Sequence, residues 1–302
     1  MNKQNDLFMR RFFKAILIFF ATILAIAVVL FAVGYFYGSR HFIVKEKTIY
    51  IDDLPEAFDG YRILQFSDFH AGAFHMGHES DVEEIVNLIN SQNCDVIFFT
   101  GDLVTIKAQE LDGFEDQLSK LKAPDGVISI MGNHDYNLYQ RNNTMAQHRA
   151  DTQDLIRRQK KLGWNLLLND HTYLYRGNDS IAVVGVENDG IAPRFPEYGD
   201  LGKAQAGVDS SVFKVLLSHD PTHWRRKVLP NTNIRLMLAG HTHAGQFKIF
   251  GWSPVALVYN EWSGLYEENG RFLYVNEGVG CVPVPYRIGA WPEVSIITLR
   301  KK

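Results

Sequence analysis

A chain of 302 residues with 46% hydrophobic and 22% charged side chains can bury one large core or two small ones, which excludes a disordered or fibrous protein. Its net charge of −3 is unevenly placed: residues 1–47 carry seven basic and two acidic side chains, so the remaining 255 residues carry −8. That acidic part lacks the basic footprint of a nucleic-acid binder. Two cysteines, Cys94 and Cys281, supply neither a disulfide framework nor a thiolate zinc site.

From Ala15 to Val33 the only polar residue is Thr22. As a helix this stretch spans about 28 Å, close to the hydrocarbon thickness of a bilayer. Tyr35 and Tyr37 follow, where interfacial aromatics sit. No small-x-small cleavage site follows Val33, so the reading is a single-pass anchor in the cell (inner) membrane rather than a cleaved signal peptide. The expected organisation is a flanking N-terminus over 1–14, a transmembrane helix over 15–37, a linker over 38–57 and a soluble domain over 58–302. Lys3, Arg10, Arg11 and Lys14 precede the span, and Arg40, Lys45 and Lys47 follow it. Four against three gives only a slight bias towards a cytoplasmic N-terminus and leaves the side of the soluble domain open.

Beyond the linker, strand-like and helix-like segments alternate. Arg62 to Ser67 reads as a strand and Ser80 to Asn90 as an amphipathic helix. Asp95 to Thr100 is an apolar strand, followed by a helix near Gln109 to Lys120 and a strand from Gly126 to Met131. A polar helix is expected from Thr144 to Leu162. Asn165 to Leu168, His171 to Arg176 and Ile181 to Val186 read as strands. Glu187 to Asp209, rich in Gly, Pro and Asp, reads as surface loop. Val212 to Leu217, Ile234 to Leu238, Arg271 to Asn276 and Val294 to Leu299 complete the β structure. Alternating β and α early, with more β later, suggests sheet packed on sheet with helices outside.

Five polar blocks sit just past these strands: Ser67-Asp68-Phe69-His70, Gly101-Asp102, Gly132-Asn133-His134-Asp135, Ser218-His219-Asp220 and Gly240-His241-Thr242-His243. The C-terminal ends of strands are where open α/β sheets collect ligands. The i, i+2 spacing of Asp68 with His70, and of His241 with His243, puts each pair on one face of an extended segment. Such a pair can serve one ion or two adjacent ones.

In this order the blocks resemble the calcineurin-like metallophosphoesterase superfamily over roughly residues 58–300. The N-terminal span, Asn133-His134-Asp135-Tyr136, Val184-Gly185-Val186-Glu187, Gly240-His241-Thr242-His243-Ala244-Gly245-Gln246 and Leu273-Tyr274-Val275-Asn276-Glu277-Gly278-Val279-Gly280 are similar to its membrane-associated bacterial branch. Members of that branch are linked to hydrolysis of UDP-2,3-diacylglucosamine in lipid A biosynthesis. The resemblance implies a four-layer αββα sandwich and two divalent metal ions, with Mn, Fe, Zn or Mg all admissible. One ion would be held by Asp68, His70 and His243, the other by Asn133, His219 and His241, with Asp102 bridging. The cations would activate water and stabilise the charge growing on phosphoryl oxygens. His134 would assist the leaving oxygen. Many relatives carry Gly-Asp-x-Val-Asp, whose last carboxylate orients that histidine; here the position is Thr105, so the expectation is either that His134 acts as a neutral donor or that Asp135 or another carboxylate helps. Ala244 stands where Gly is usual, which is tolerable unless the backbone needs a positive φ.

Arg287 and Arg194 are candidate phosphate clamps. His75, His78, His171 and His223 read as loop residues. Phe69, Phe74, Met76, Trp252, Tyr259, Trp262, Tyr266 and Trp291 divide between core and an apolar groove for acyl chains. The run Arg157 to Lys161 reads as a solvated helix face. The leading expectation is a membrane-anchored hydrolase of a phosphodiester or diphosphate, with a lipid-linked nucleotide as substrate. A broad phosphodiesterase or phosphatase on envelope phosphates is the enzymatic alternative. A non-catalytic membrane scaffold is the alternative from another class.

Overall fold

The computed structural model describes residues 3–191 and 195–302. In chain order, Lys3–Phe36 (α1) leads through a 3-10 turn at Gly38–Arg40 to Ile43–Ile51 (β1) and Arg62–Phe66 (β2). Ala71–Phe74 (α2), Asp81–Ser91 (α3), Val96–Phe99 (β3), Glu115–Leu118 (α4), Val127–Ser129 (β4) and Met145–Lys161 (α5) follow. The second half runs Asn165–Leu166 (β5), Asp170–Arg176 (β6), Asp179–Gly185 (β7), Leu201–Ala204 (α6) and Phe213–Leu217 (β8). It continues with Leu229–Asn231 (α7), Leu236–Ala239 (β9), Gly264–Glu268 (β10), Arg271–Val275 (β11) and Glu293–Lys301 (β12).

Among the described residues the strands form two six-stranded mixed sheets, ordered β1-β12-β2-β3-β4-β5 and β10-β11-β9-β8-β7-β6. Period-two alternation divides their side chains between layers. Val96 and Phe98 face the inter-sheet core with Ile63, Val183, Val215, Leu217, Leu236 and Leu238. Ile97 and Phe99 point outward to join Val82, Ile85, Val86 and Ile89 of α3, Leu118 of α4 and Leu155 of α5. On the other sheet Leu216, Met237 and Leu273 are covered by Leu201 and Ala204 of α6 and by Trp224 and Val228. This is the expected αββα sandwich, its third interface closed by a π-helical turn at Trp224–Val228.

Several boundaries differ from expectation for local reasons. The helix expected near Gln109 to Lys120 is broken into a 3-10 turn at Ala108–Leu111 and the short α4, because Gly113 takes φ +88 between them. The α5 boundary holds, since Thr144 and Gln147 form a reciprocal capping box. The stretch read as surface loop, 187–209, is anchored inward: Asn188 and Asp189 are fully buried, and Asp189 takes Arg226 and Lys227 as cationic partners.

The main correction concerns the expected linker, 38–57. It contains β1, which pairs in parallel with β12 along its whole length, Ile43 opposite Glu293 through Ile51 opposite Lys301. The charged run Lys45-Glu46-Lys47 hides this strand in the sequence. Lys45 bends inward, its Nζ 2.8 Å from Glu277 and 2.5 Å from Glu293, both carboxylates fully buried. β12 is antiparallel to β2, so β1 also runs opposite to β2. The N-terminal end of β1, where α1 delivers the chain, therefore lies at the same end of the sandwich as the C-terminal end of β2.

That junction is packed. The Phe31 and Tyr286 rings stack with centroids 5.7 Å apart, and the Arg287 backbone N–H donates to Gly34 O at 3.1 Å. Arg40 pairs with Asp81 at 2.9 Å and donates to Gly77 O. Helix α1 is long and apolar enough to cross a membrane, and the apolar part of its surface is exposed.

Candidate metal centre

The five blocks leave the C-terminal ends of β2, β3 and β4 in one sheet and β8 and β9 in the other, and the two sheets bring them together. Gln65 Nε2 donates to Ala239 O at 2.9 Å across the sandwich, tying β2 to β9. Asp68 N donates to Gly101 O, and Gly240 N to His219 O, joining the blocks within each sheet. The turns are tight: Asp68, His70, Asp102, His241 and His243 all take positive φ, between 49° and 75°. Non-glycine residues rarely adopt this region, and clusters of such residues mark functional sites. Gly240 and Gly132 permit the crowding, since a Cβ on the first would overlap Ser67 Oγ and Asp68 Oδ2, and on the second Asp102 Oδ1.

Eight of the nine candidate site residues converge. His243 Nε2 lies 3.2 Å from Asp68 Oδ1 and 3.0 Å from His70 Nε2. His70 Nε2 is 3.6 Å from Asp102 Oδ2, and His219 Nε2 is 3.1 Å from the same oxygen. His241 Nδ1 is 2.7 Å from Asn133 Oδ1. Three overlapping groups could each hold an ion: Asp68, His70 and His243; His70, Asp102 and His134; Asp102, His219 and His241. Asp102 joins two of them and sits between the rest.

The donor set fits divalent cations. His219 Nδ1 lies 2.7 Å from Thr100 O, which can only accept, so a ring proton is there and Nε2 faces Asp102, bearing a proton while the ring is a cation and offering its lone pair only once a metal ion displaces that proton. The His70 and His243 Nε2 atoms, 3.0 Å apart and close to the Asp68 and Asp102 carboxylates, make a mixed nitrogen and oxygen donor set of the kind that suits a divalent cation. The protonation pattern agrees. Burial works against charge on Asp68, yet the neighbouring His243 and His219 hold its carboxyl well below the usual range. Asp102 is likewise depressed against its burial by His219 and His134. Burial opposes the His219 cation, but Asp102 pushes it up to about 10. Burial keeps His70, His241 and His243 low, hence neutral. Positive charge on His219 balances the carboxylates here, as a dication would.

Two expectations are corrected. Asp135 does not orient His134. Its carboxylate accepts from the backbone N–H of Asp102, Leu103, Val104 and Gly132 at 2.8–3.2 Å, clamping two ligand loops together. His134 instead donates from Nδ1 to the Thr105 backbone carbonyl at 2.6 Å. Its ring stacks on Tyr139, whose hydroxyl accepts from Asn133 Nδ2 at 2.7 Å. Arg287 is not available to substrate. It is fully buried, donates to Gly280 O and Ala290 O, and reaches His243 Nδ1 at 3.1 Å. Its guanidinium packs against His243, a candidate ligand, and holds the loop behind it. Arg194 lies outside the described residues.

No motif singles out Tyr139 or Phe195, which line the same cavity as Asp102, Asn133, His134, His241 and His243. Tyr259, grouped there with the scattered aromatics, is a cavity residue with its hydroxyl 2.8 Å from His241 Nε2. Of the loop histidines, His78 and His223 are buried structural groups, bonded to Asp81 and Ser218 respectively. Phe69 and Phe74 are core, whereas Trp252 is half exposed. The basic run on α5 is partly tied up, Arg158 pairing with Asp112, Glu115 and Asp154.

A two-sheet sandwich whose strand ends deliver this mixed oxygen and nitrogen cluster defines a metallohydrolase. Residues 61–245 match the family of calcineurin-like phosphoesterases. The chain is 30% identical over 275 residues to the uncharacterized metallophosphoesterase YkuE of Bacillus subtilis, covering 87% of this chain and 88% of that one. It is 29% identical over 265 residues to a transmembrane protein with metallophosphoesterase domain from Danio rerio, covering 85% of this chain and 57% of that longer protein. A dimetal phosphatase of known structure from Danio rerio aligns at a TM-score of 0.44 and 12% identity over 73% of this chain and 88% of that one. The chain belongs to the calcineurin-like phosphoesterase family. It is a metal-dependent hydrolase of phosphoric esters or anhydrides, and its cofactor is a pair of divalent metal ions.

Proposed function

We propose that the protein is a membrane-anchored phosphoesterase that cleaves a phosphodiester or diphosphate carried by a lipid-linked substrate. The observation that carries the reading is the convergence of Asp68, His70, His243, Asp102, His219, His241 and Asn133 at one sandwich end, the same end that receives α1. Asp68, His70 and His243 would hold one ion, Asn133, His219 and His241 the other, and Asp102 would bridge. The bound pair supplies Lewis acidity towards water and phosphoryl oxygens. Two carboxylates leave a dication pair with net positive charge, which suits an incoming phosphate.

The chain's own groups shape the rest. His134 Nδ1–H is fixed on Thr105 O, so the opposite nitrogen faces the cavity and can protonate the departing oxygen when the ring is an imidazolium. Tyr139 holds the ring from one side by stacking. Phe195, Tyr259 and Val282 form the less polar wall that limits water.

The favoured substrate is UDP-2,3-diacylglucosamine. The cavity, about 310 Å³, takes a phosphate and its immediate neighbours, which leaves acyl chains outside on the apolar surface beside it. Purified full-length protein, loaded in turn with Mn, Zn, Fe or Mg, should cleave UDP-2,3-diacylglucosamine faster than bis-aryl phosphate or aryl monophosphate. Equal or better turnover of the soluble aryl esters would favour a broad phosphodiesterase instead. That nucleotide is made on the cytoplasmic side, so a topology reporter fused at Lys302 must read cytoplasmic; an external signal would rule this substrate out.

A further inference from the structure

The chain leaves the site at Gln246, runs out to residue 258 and returns at Tyr259 to touch His241. At the tip, Ile249 and Trp252 close a tight antiparallel turn around Phe250 and Gly251. Phe250 has φ +49 and its ring is fully exposed, at 104%. A bulky aromatic residue in the left-handed region is an outlier, and none of the described residues covers this one. Leu257 and Val258 are 80% and 69% exposed, with Ile249 and Trp252 near half. Five large apolar side chains within ten residues stand exposed, which a water-facing loop would not keep.

The position of this loop identifies what covers it. Segment 282–289 links it to the membrane helix. Phe247 bridges to Ile288, Lys248 N donates to Ile288 O, and Ile288 N to Gln246 O. Two residues earlier, Tyr286 stacks on Phe31 of α1, and Arg287 N bonds Gly34 O. Phe31 and Gly34 lie at the end of the apolar span, so Tyr286 sits at the level of the bilayer border. Val284 between them is exposed, and Val282 lines the metal-site cavity. One short segment thus touches the membrane helix, the apolar loop and the site.

We propose that the loop 247–258 is a second membrane contact, dipping Phe250, Trp252, Leu257 and Val258 into the leaflet that α1 enters, so that the metal-site mouth rests on the lipid surface. The occupant is the bilayer interface itself: aromatic and aliphatic tips without a charged face suit the headgroup–acyl boundary. The loop and the helix end then flank the mouth, and a phosphoester in a lipid headgroup reaches the cavity without leaving the membrane plane. This extends the anchored-phosphoesterase reading, but the contact itself does not depend on catalysis.

The test uses the full chain in liposomes. Both native cysteines are buried, so an environment-sensitive fluorophore can be directed to F250C, to L257C, or to Y50C as control. Tyr50 is exposed near the C-terminal end of β1, the sandwich end remote from the helix. Lipids carrying a shallow nitroxide should quench the label at 250 and 257 several-fold more than at 50, with blue-shifted emission. The double variant F250S/L257S should turn over vesicle-presented phosphoester several-fold more slowly while bis-aryl phosphate hydrolysis stays unchanged. Quenching at 250 and 257 no stronger than at 50 overturns the proposal, including the case of blue-shifted emission without quenching, which would mean a protein cover. Selective quenching with no hydrolysis of either substrate would uphold the contact and defeat the catalytic reading.

Discussion

His134 owes its orientation to a main-chain carbonyl, and this alters which substitutions matter. A carboxylate partner could be deleted by mutation, whereas the Thr105 carbonyl is present whatever side chain the position carries. T105A is therefore expected to keep nearly full activity. H134Q should lower kcat by about 10²–10⁴, the usual worth of a general acid, with metal content unchanged. A loss of metal in H134Q would instead make it a ligand, which its place in the middle cluster with His70 and Asp102 allows as the contrary outcome. Ala244 tells a similar story about backbone. It has φ 48 and ψ 33 with its methyl fully buried, so the position does need the left-handed region. A244G should relieve strain of about 1 kcal/mol, offset in part by added chain entropy, and raise Tm by roughly 1–2 °C with activity retained. The candidate ligand residues that converge were legible because each belongs to a short polar block after an apolar run. Arg287 was misread because a basic residue near such blocks looks like a phosphate clamp, and burial does not show in composition.

At the scale of elements, β1 is the instructive case. Its pattern is half hidden by Lys45, Glu46 and Lys47, which read as flanking charge after a membrane span. The compensation lies 232 and 248 residues away, in Glu277 and Glu293. Burial would raise the Glu277 carboxyl, but Lys45 and Lys248 hold it below its ordinary value. Glu293 also accepts from Tyr274 and Ser295 hydroxyls. Such a network is satisfied only when complete. K45A should cost roughly 3 kcal/mol in denaturant unfolding, because it leaves buried carboxylates short of a cation. A change well below 1 kcal/mol would mean that Lys248 and the hydroxyls suffice. Strands with unbroken apolar runs, such as β3 and β9, were readable directly; a strand whose charge is neutralised by distant partners is not. The broken helix around Gly113 was missed for a related reason, since the pattern over 109–120 is helical and only the turn geometry interrupts it.

For the whole molecule, strand direction unites anchor and site. β1 and β12 run against β2–β5, so α1 delivers the chain at the end where β2, β3 and β4 release the candidate ligands. The αββα layering and the ordered blocks could be read from sequence, but this placement depends on which edge β1 joins. It puts the candidate metal cluster, not the opposite end, beside α1, the helix long and apolar enough to cross a membrane. All of this rests on the cluster binding two ions. The direct measurement is metal content of the purified full chain alongside that of D102N and H241A, each assayed on a phosphodiester. The wild-type chain should hold about two divalent ions, with both variants losing metal and activity together. Full activity in both variants, or an active wild-type chain that holds no metal, would contradict it.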